Sequence, residues 1–253
     1  MIKLDGATVL LQWATGGLFF LWITSRKRVV SAGYGWLLRS IYLVLAGAAA
    51  AIGVRVDALP VRDVSAALVA AAAAVALTLS IVRRRAGVAT FPAHLDLVAP
   101  IFGVIGLIAA GVHAGDPALL SVVRTVVGAA FLGSVSDAML LGHWYLVQPG
   151  LARGPLLEMV RWVGIVWPLE VASLLWPTGM LSVLDGSIDD GYAGLLGWFW
   201  IACAITTIVL VVVTRAALKE RAYSAVMAAT GLLYLAILTA FGTDLVARAV
   251  LAR

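Results

Sequence analysis

Residues 63–85 read DVSAALVAAAAAVALTLSIVRRR, an apolar segment over 63–82, uncharged after Asp63, closed by Arg83, Arg84 and Arg85. At about 1.5 Å of rise per residue, a helix of roughly 20 apolar residues crosses a bilayer core about 30 Å thick. A helix that is apolar on every face has no place at the surface of a water-soluble fold. Comparable runs lie at 7–24, 34–54, 97–114, 118–146, 155–177, 193–214 and 222–246, and no linker between them is long enough for a soluble domain. Only helices or closed barrels satisfy the backbone in lipid, and unbroken apolar runs lack a barrel's alternation. The expected fold is an all-α polytopic membrane bundle of about eight transmembrane helices, with residues 1–253 as a single transmembrane domain.

The totals agree. Hydrophobic residues make up 63% of the 253 positions and charged residues 12%, against roughly 25% charged in an average soluble domain. That balance excludes an ordinary soluble enzyme, a disordered tail and a nucleic-acid-binding protein. Met1 to Leu21 carries one lysine and no small-residue cleavage site before a polar region, so it reads as a retained first helix. The lone Cys203 cannot form an internal disulfide or a multi-thiolate metal site and reads as a small buried hydrophobe. The Ala, Val, Leu, Arg and Gly usage suggests a high-GC bacterium, and the expected location is the bacterial cytoplasmic (inner) membrane, multi-pass.

The net charge of +5 is explained by topology. Basic residues gather in alternate loops: Arg26, Lys27 and Arg28; Arg83, Arg84 and Arg85; Arg153; Arg215, Lys219 and Arg221. The intervening loops hold Asp57, Asp63, Asp116, Asp185, Asp189 and Asp190, with Arg55 and Arg62 in the first of them. Positive residues stay on the cytoplasmic side, which places both termini outside. Arg248 and Arg253, near the outer C-terminus, run against that assignment.

Small residues at helical spacing, among them Gly103, Gly106, Gly111, Gly128 and Gly133, mark helices that approach closely. Trp22, Trp36 and Trp144 fall near cytoplasmic ends and Trp13 and Trp176 near outer ends, as an aromatic belt requires. Trp162, Trp167, Trp198 and Trp200 sit deeper, as core packing or as walls for a flat ring.

Ionisable groups inside spanning helices are costly and mark candidate sites. They concentrate between Arg124 and Ser173. With the turn between the fifth and sixth helices centred near Leu151, His143 and Glu158 lie at equal depth, about 10–12 Å from that centre. Asp137 and Arg161 differ by about 6 Å in depth, which a long arginine spans. These four, with Tyr145 and Trp162, are expected to form a cytoplasmic-side polar pocket. Asp137 and His143 are about 120° apart around their helix, so both face inward only if that helix is surrounded. Glu170 follows Pro168, a kink-forming residue, and has no evident counter-ion; it is expected to be neutral. By depth, Arg124 lies about 12 Å further out than Glu170 and is expected to snorkel outward, as is Arg39 at the other side.

Histidine plus aromatics plus acid suits a quinone, and His143 with a weaker second ligand, His94, suits a b-type haem. The leading expectation is a quinone- or haem-linked electron-transfer membrane subunit. A proton- or cation-coupled transporter or channel, with Asp137 below and Glu170 above marking a proton path, is the first alternative. A non-catalytic scaffold subunit is the second. No metal-ligand or nucleophile–base motif points to an enzyme. The expected partners are the lipid bilayer and other membrane subunits or further copies of the chain, not nucleic acid.

Overall fold

The computed structural model describes residues 4–88, 91–177 and 179–252. Their secondary structure is helical throughout, with no strand among the described residues. Eight long helices fall on the eight apolar segments: α1 (Gly6–Ser25), α2 (Ala32–Val56), α3 (Pro60–Arg85), α4 (Val98–His113), α5 (Ala118–Val147), α6 (Gly154–Leu175), α8 (Leu195–Ala217) and α9 (Tyr223–Leu251). A five-residue helix, α7 (Met180–Leu184), and a 3-10 turn (Ala93–Leu97) lie in connections. All the long helices except α6 are long and apolar enough to cross a membrane, α4 together with the 3-10 turn before it, as Ala93–His113. Every 18-residue window of α6 holds Glu158, Arg161 and Glu170, which is why it differs. α6 runs on through Pro168 without a break.

Local chemistry sets the ends. Asp5 caps α1 by accepting from the Ala7 and Thr8 amides at 3.1 and 3.3 Å. Pro60 opens α3, where its missing N–H costs nothing, and Arg83, Arg84 and Arg85 close it, where cations suit the negative end of the helix dipole. Asp190 plays the capping part for α8: its carboxylate accepts from the amides of Tyr192 (2.9 Å), Gly194 (2.8 Å) and Leu196 (2.8 Å).

α1 and α5 form the centre. The apolar stretch of α1 is 67% buried and that of α5 56%, against 33% for α2, α3 and α8. α2, α3 and α4 pack on one side of this pair, and α6, α8 and α9 on the other. The two backbones touch where Gly16 meets Ala129 and Gly133; a Cβ on Gly16 would strike the Ala129 carbonyl. The small residues of α5 thus act as close-packing surfaces. Large apolar side chains such as Val44, Val75, Leu169, Trp198 and Leu238 stay exposed around the outside.

The charged loops meet at one end of the bundle. Arg153, before α6, donates to the carbonyls of Arg221 (2.8 Å) and Ala222 (2.9 Å), before α9. Arg26 and Lys27, after α1, each reach Glu158 of α6 at 2.7 Å. This basic end is opposed by an acidic end carrying Asp5, Asp57, Asp116, Asp185, Asp189 and Asp190.

Candidate functional site

The residues expected to share one pocket are held apart. Asp137 is fully buried on α5, where Oδ1 accepts from the Tyr42 hydroxyl of α2 and Oδ2 has no partner among the described residues. The Tyr34 hydroxyl, also on α2, donates to the Asp137 carbonyl at 3.4 Å. His143, six residues on, is exposed on another face and meets the Tyr234 hydroxyl of α9 at 3.1 Å. Glu158 is taken by Arg26 and Lys27 near the surface, and Arg161 is exposed. Tyr145 is buried and donates to the Ala152 carbonyl, closing the α5–α6 turn. Trp162 packs edge-on against Phe20, with ring centroids 6.0 Å apart. Depth was the basis for grouping Asp137, His143, Glu158 and Arg161, equal for His143 and Glu158 and within an arginine's reach for Asp137 and Arg161, but depth does not fix direction around a helix.

The deeper tryptophans do not line one ring site. Trp167 donates its indole N–H to the Ala204 carbonyl of α8 at 3.0 Å, Trp198 is exposed, and Trp200 is buried with its N–H unpartnered. His94 stands on the 3-10 turn, which packs on α1, α3 and α4, whereas His143 faces α9. The turn that carries His94 and the ring of His143 thus pack against different helices. No group of three or more His, Cys, Asp or Glu side chains among the described residues is arranged to hold a metal ion.

What the fold does assemble is an ion layer near the acidic end. Gln12, Arg124, Glu170 and Asp244 lie five to seven residues from that end of their helices, about 8–11 Å deep. Arg248 grips Asp244 through two bonds, Nε to Oδ2 at 2.7 Å and Nη2 to Oδ1 at 3.0 Å. Both residues are buried, as is Glu170. The charged neighbours of Glu170 are Asp244, Arg248 and Arg124; its hydrogen-bonding contact is the Asp244 carboxyl, and no N–H among the described residues donates to its oxygens. Gly128 of α5 opens the space where these helices meet. A Cβ there would lie 2.8 Å from both Asp244 Oδ1 and Gln12 Nε2, and 3.1 Å from Arg248 Nη2. Gln12 donates to the Thr125 carbonyl at 2.7 Å and leaves its own oxygen unpartnered.

A second buried group adjoins this layer. Arg62 bonds to Asp5, to Asp63 at 2.8 Å and to the Asp57 carbonyl at 2.5 Å. A cavity of about 10 Å³, lined in part by Asp5, Thr8, Arg62, Thr125, His113 and Arg248, lies between the two arginine groups. That is about the room one water needs.

Three expectations are corrected here. Arg124 does not snorkel outward: it is 1% exposed and its Nε donates to the Ser173 carbonyl of α6 at 2.7 Å. Its long side chain reaches across to α6. Glu170 does not lack cationic neighbours, because α9 brings Arg248 to it. Arg39 does not snorkel either; it is buried and pairs with Asp96 through two 2.8 Å bonds. Asp244, Arg248 and Gln12 are the site residues that sequence reasoning passed over. The Asp244–Arg248 spacing of four is the signal that was there to find, since such residues share a helix face.

Compared with known protein families, with curated proteins and with solved structures, the chain matches none.

Proposed function

We propose that the chain is an eight-pass protein of the bacterial cytoplasmic membrane, with its basic end inside and both termini outside, and that it carries protons across that membrane. Topology is supported by the fate of two cations on the outer side, Arg62 and Arg248; Arg253 lies outside the described residues. Arg62 and Arg248 are buried in internal ion pairs, so neither counts as a loop charge under the positive-inside rule. α6 completes the count as a span that is sheltered on one side by α5 and α8, so its charges need not all face lipid.

The observation that carries the transport reading is a pair of fully buried carboxyls at different depths, Asp137 and Glu170: among the described residues Asp137 Oδ2 has no donor, and Glu170 has the Asp244 carboxyl and no N–H against it. A buried carboxyl left without donors is costly, and in a membrane bundle such groups serve proton relays. Glu170 exchanges a proton with the acidic side, past Arg248 and the small cavity beside Asp5. Asp137, through Tyr42 and Tyr34 of α2, serves the basic side. The redox reading has less support, because its histidine, acid and aromatic groups are not gathered in one pocket.

The test is proton flux in proteoliposomes holding a trapped pH dye, with an imposed pH step and potassium plus valinomycin to clamp the voltage. Wild-type vesicles are expected to lose the pH difference at least tenfold faster than protein-free ones, and Glu170→Gln and Asp137→Asn to return to the protein-free rate. Equal rates for wild type and Glu170→Gln would overturn the transport reading and favour a scaffold role.

A further inference from the structure

At the basic end the α1–α2 loop, the first turns of α2, the end of α3 and the segment before the 3-10 turn enclose a cavity of about 370 Å³. Three arginines line it: Arg28 from the loop, Arg39 from α2 and Arg84 from α3. The hydroxyls of Ser31 and Ser80 and the ring of Phe91 share the lining.

Arg39 is built into place. Its guanidinium gives Nε and Nη2 to the Asp96 carboxylate, both at 2.8 Å, and its central carbon lies 4.4 Å from the Phe91 ring centroid. Gly35, one turn earlier, leaves room for it; a Cβ there would fall 2.8 Å from Nη1. Nη1 has no acceptor among the described residues, so a fixed, 3% exposed guanidinium keeps unused donors beside the cavity. Arg28 and Arg84 are exposed and pair with no carboxylate among the described residues. Ser31 makes no capping bond, so the first amides of α2 also point their positive end at the loop.

The charges do not balance. Three arginines face one aspartate, which is already engaged with Arg39, so the cavity has two positive charges in excess. Planar guanidinium groups match the oxygens of a phosphate better than they match a single point charge. The volume is at the lower end of small-ligand sites, roughly 300–1,000 Å³, and exceeds what a bare ion fills. Val30, Ala32 and Phe91 supply an apolar wall for the rest of such a ligand.

We propose that this cavity binds a phosphate ester, with its phosphate on Arg39, Arg28 and Arg84 and its organic part against Phe91. The ester comes either from an anionic phospholipid headgroup of the adjoining leaflet or from a soluble phosphorylated small molecule. The inference does not rest on proton movement through Glu170.

Full-length protein in a neutral maltoside detergent is titrated with glycerol 3-phosphate and, separately, with dioctanoyl phosphatidylglycerol in mixed micelles. Tryptophan fluorescence reads binding, because the Trp36 indole donates to Ser80 Oγ at 2.9 Å on the cavity wall. Saturable binding of glycerol 3-phosphate supports a soluble source; saturation by the phosphatidylglycerol alone supports a lipid source. In either case Arg28→Gln/Arg84→Gln, at exposed and unpaired positions, is expected to weaken binding at least tenfold. Arg215→Gln/Lys219→Gln, which removes the same charge from the same end outside the cavity, is expected to change it less than twofold. The proposal is overturned if neither probe saturates, if the cavity variant binds like wild type, or if both double variants lose affinity equally.

Discussion

Two buried arginine–aspartate pairs stand at opposite ends of the bundle, and they are made alike. Arg248 and Arg39 each give Nε and Nη2 to one carboxylate, within 2.7–3.0 Å. Each arginine is nearly removed from solvent, at 1% and 3% exposure. Their surroundings differ. Beside Asp244–Arg248 lies a further carboxyl, Glu170, against the Asp244 carboxyl and with no N–H donor among the described residues, and a cavity of only about 10 Å³ is nearby. Beside Arg39–Asp96 lie two further arginines and a cavity of about 370 Å³. The pair itself is a structural unit; what is placed next to it decides the chemistry. A carboxyl facing a second carboxyl in a nearly dry site suits a proton, and a surplus of cations around open space suits an anion.

Breaking each pair tests whether the dry and wet ends differ in energy as well as in geometry. The largest effect is expected for Arg248→Met. It leaves Asp244 and Glu170 buried without their shared guanidinium, at a cost of about 3–5 kcal/mol. Loss of monodisperse protein in detergent, or a collapse of its melting temperature, is the measurement. The double variant Arg248→Met/Asp244→Leu should recover most of the loss, since replacing a buried ion pair by apolar residues is often neutral. A single variant as stable as wild type would show that the pair is not buried as described.

Arg39→Met should cost less, roughly 1–3 kcal/mol, because only Asp96 is stranded and water in the cavity can reach it. Thermal melts of the two single variants side by side decide the matter. Equal losses would remove the distinction between the ends.

The helical segments could be read from the sequence because hydropathy over about 20 residues is a one-dimensional property. All eight apolar segments, including the one with Glu158, Arg161 and Glu170, became long helices. Depth along a helix was legible for the same reason. Direction around the helix was not. Asp137 and His143 were placed correctly in depth, yet one is buried against Tyr42 and the other exposed beside Tyr234. Pairs such as Arg39 with Asp96, 57 positions apart, leave no local trace. Asp244 with Arg248 did leave one, in their spacing of four. Gly128 was read as a packing residue, but the space it leaves is filled by polar atoms from α1 and α9.

A surface pair provides the lower limit for the comparison. Glu158 takes both Arg26 and Lys27 at 2.7 Å, but those cations are 37% and 55% exposed. Solvent screening should hold the effect of Glu158→Gln to about 0–1 kcal/mol, falling further in high salt. Melts at low and high ionic strength check this. A loss as large as that of Arg39→Met would mean that burial is not what separates the ion pairs.

Asp190 sharpens the contrast from the other side, as a carboxylate with every donor that Glu170 lacks. What burial it has raises its pKa, and the amides of Gly194, Tyr192 and Leu196 outweigh that and hold it below the ordinary carboxylate range. The sign follows from linkage. A group whose folded pKa is depressed stabilises the fold above its unfolded pKa, about 3.9 for Asp, and that contribution is lost as pH falls through the folded value. Acidification below about pH 4 should therefore loosen the start of α8 first. Amide exchange at Tyr192, Gly194 and Leu196 should speed up there while that of the α1–α5 centre does not. Asp190→Asn, which keeps one of the two acceptor oxygens and loses the charge, should show the faster exchange already at neutral pH and lose its pH dependence. Unchanged exchange in that variant would mean that the loop's geometry, and not the carboxylate, holds the first turn of α8.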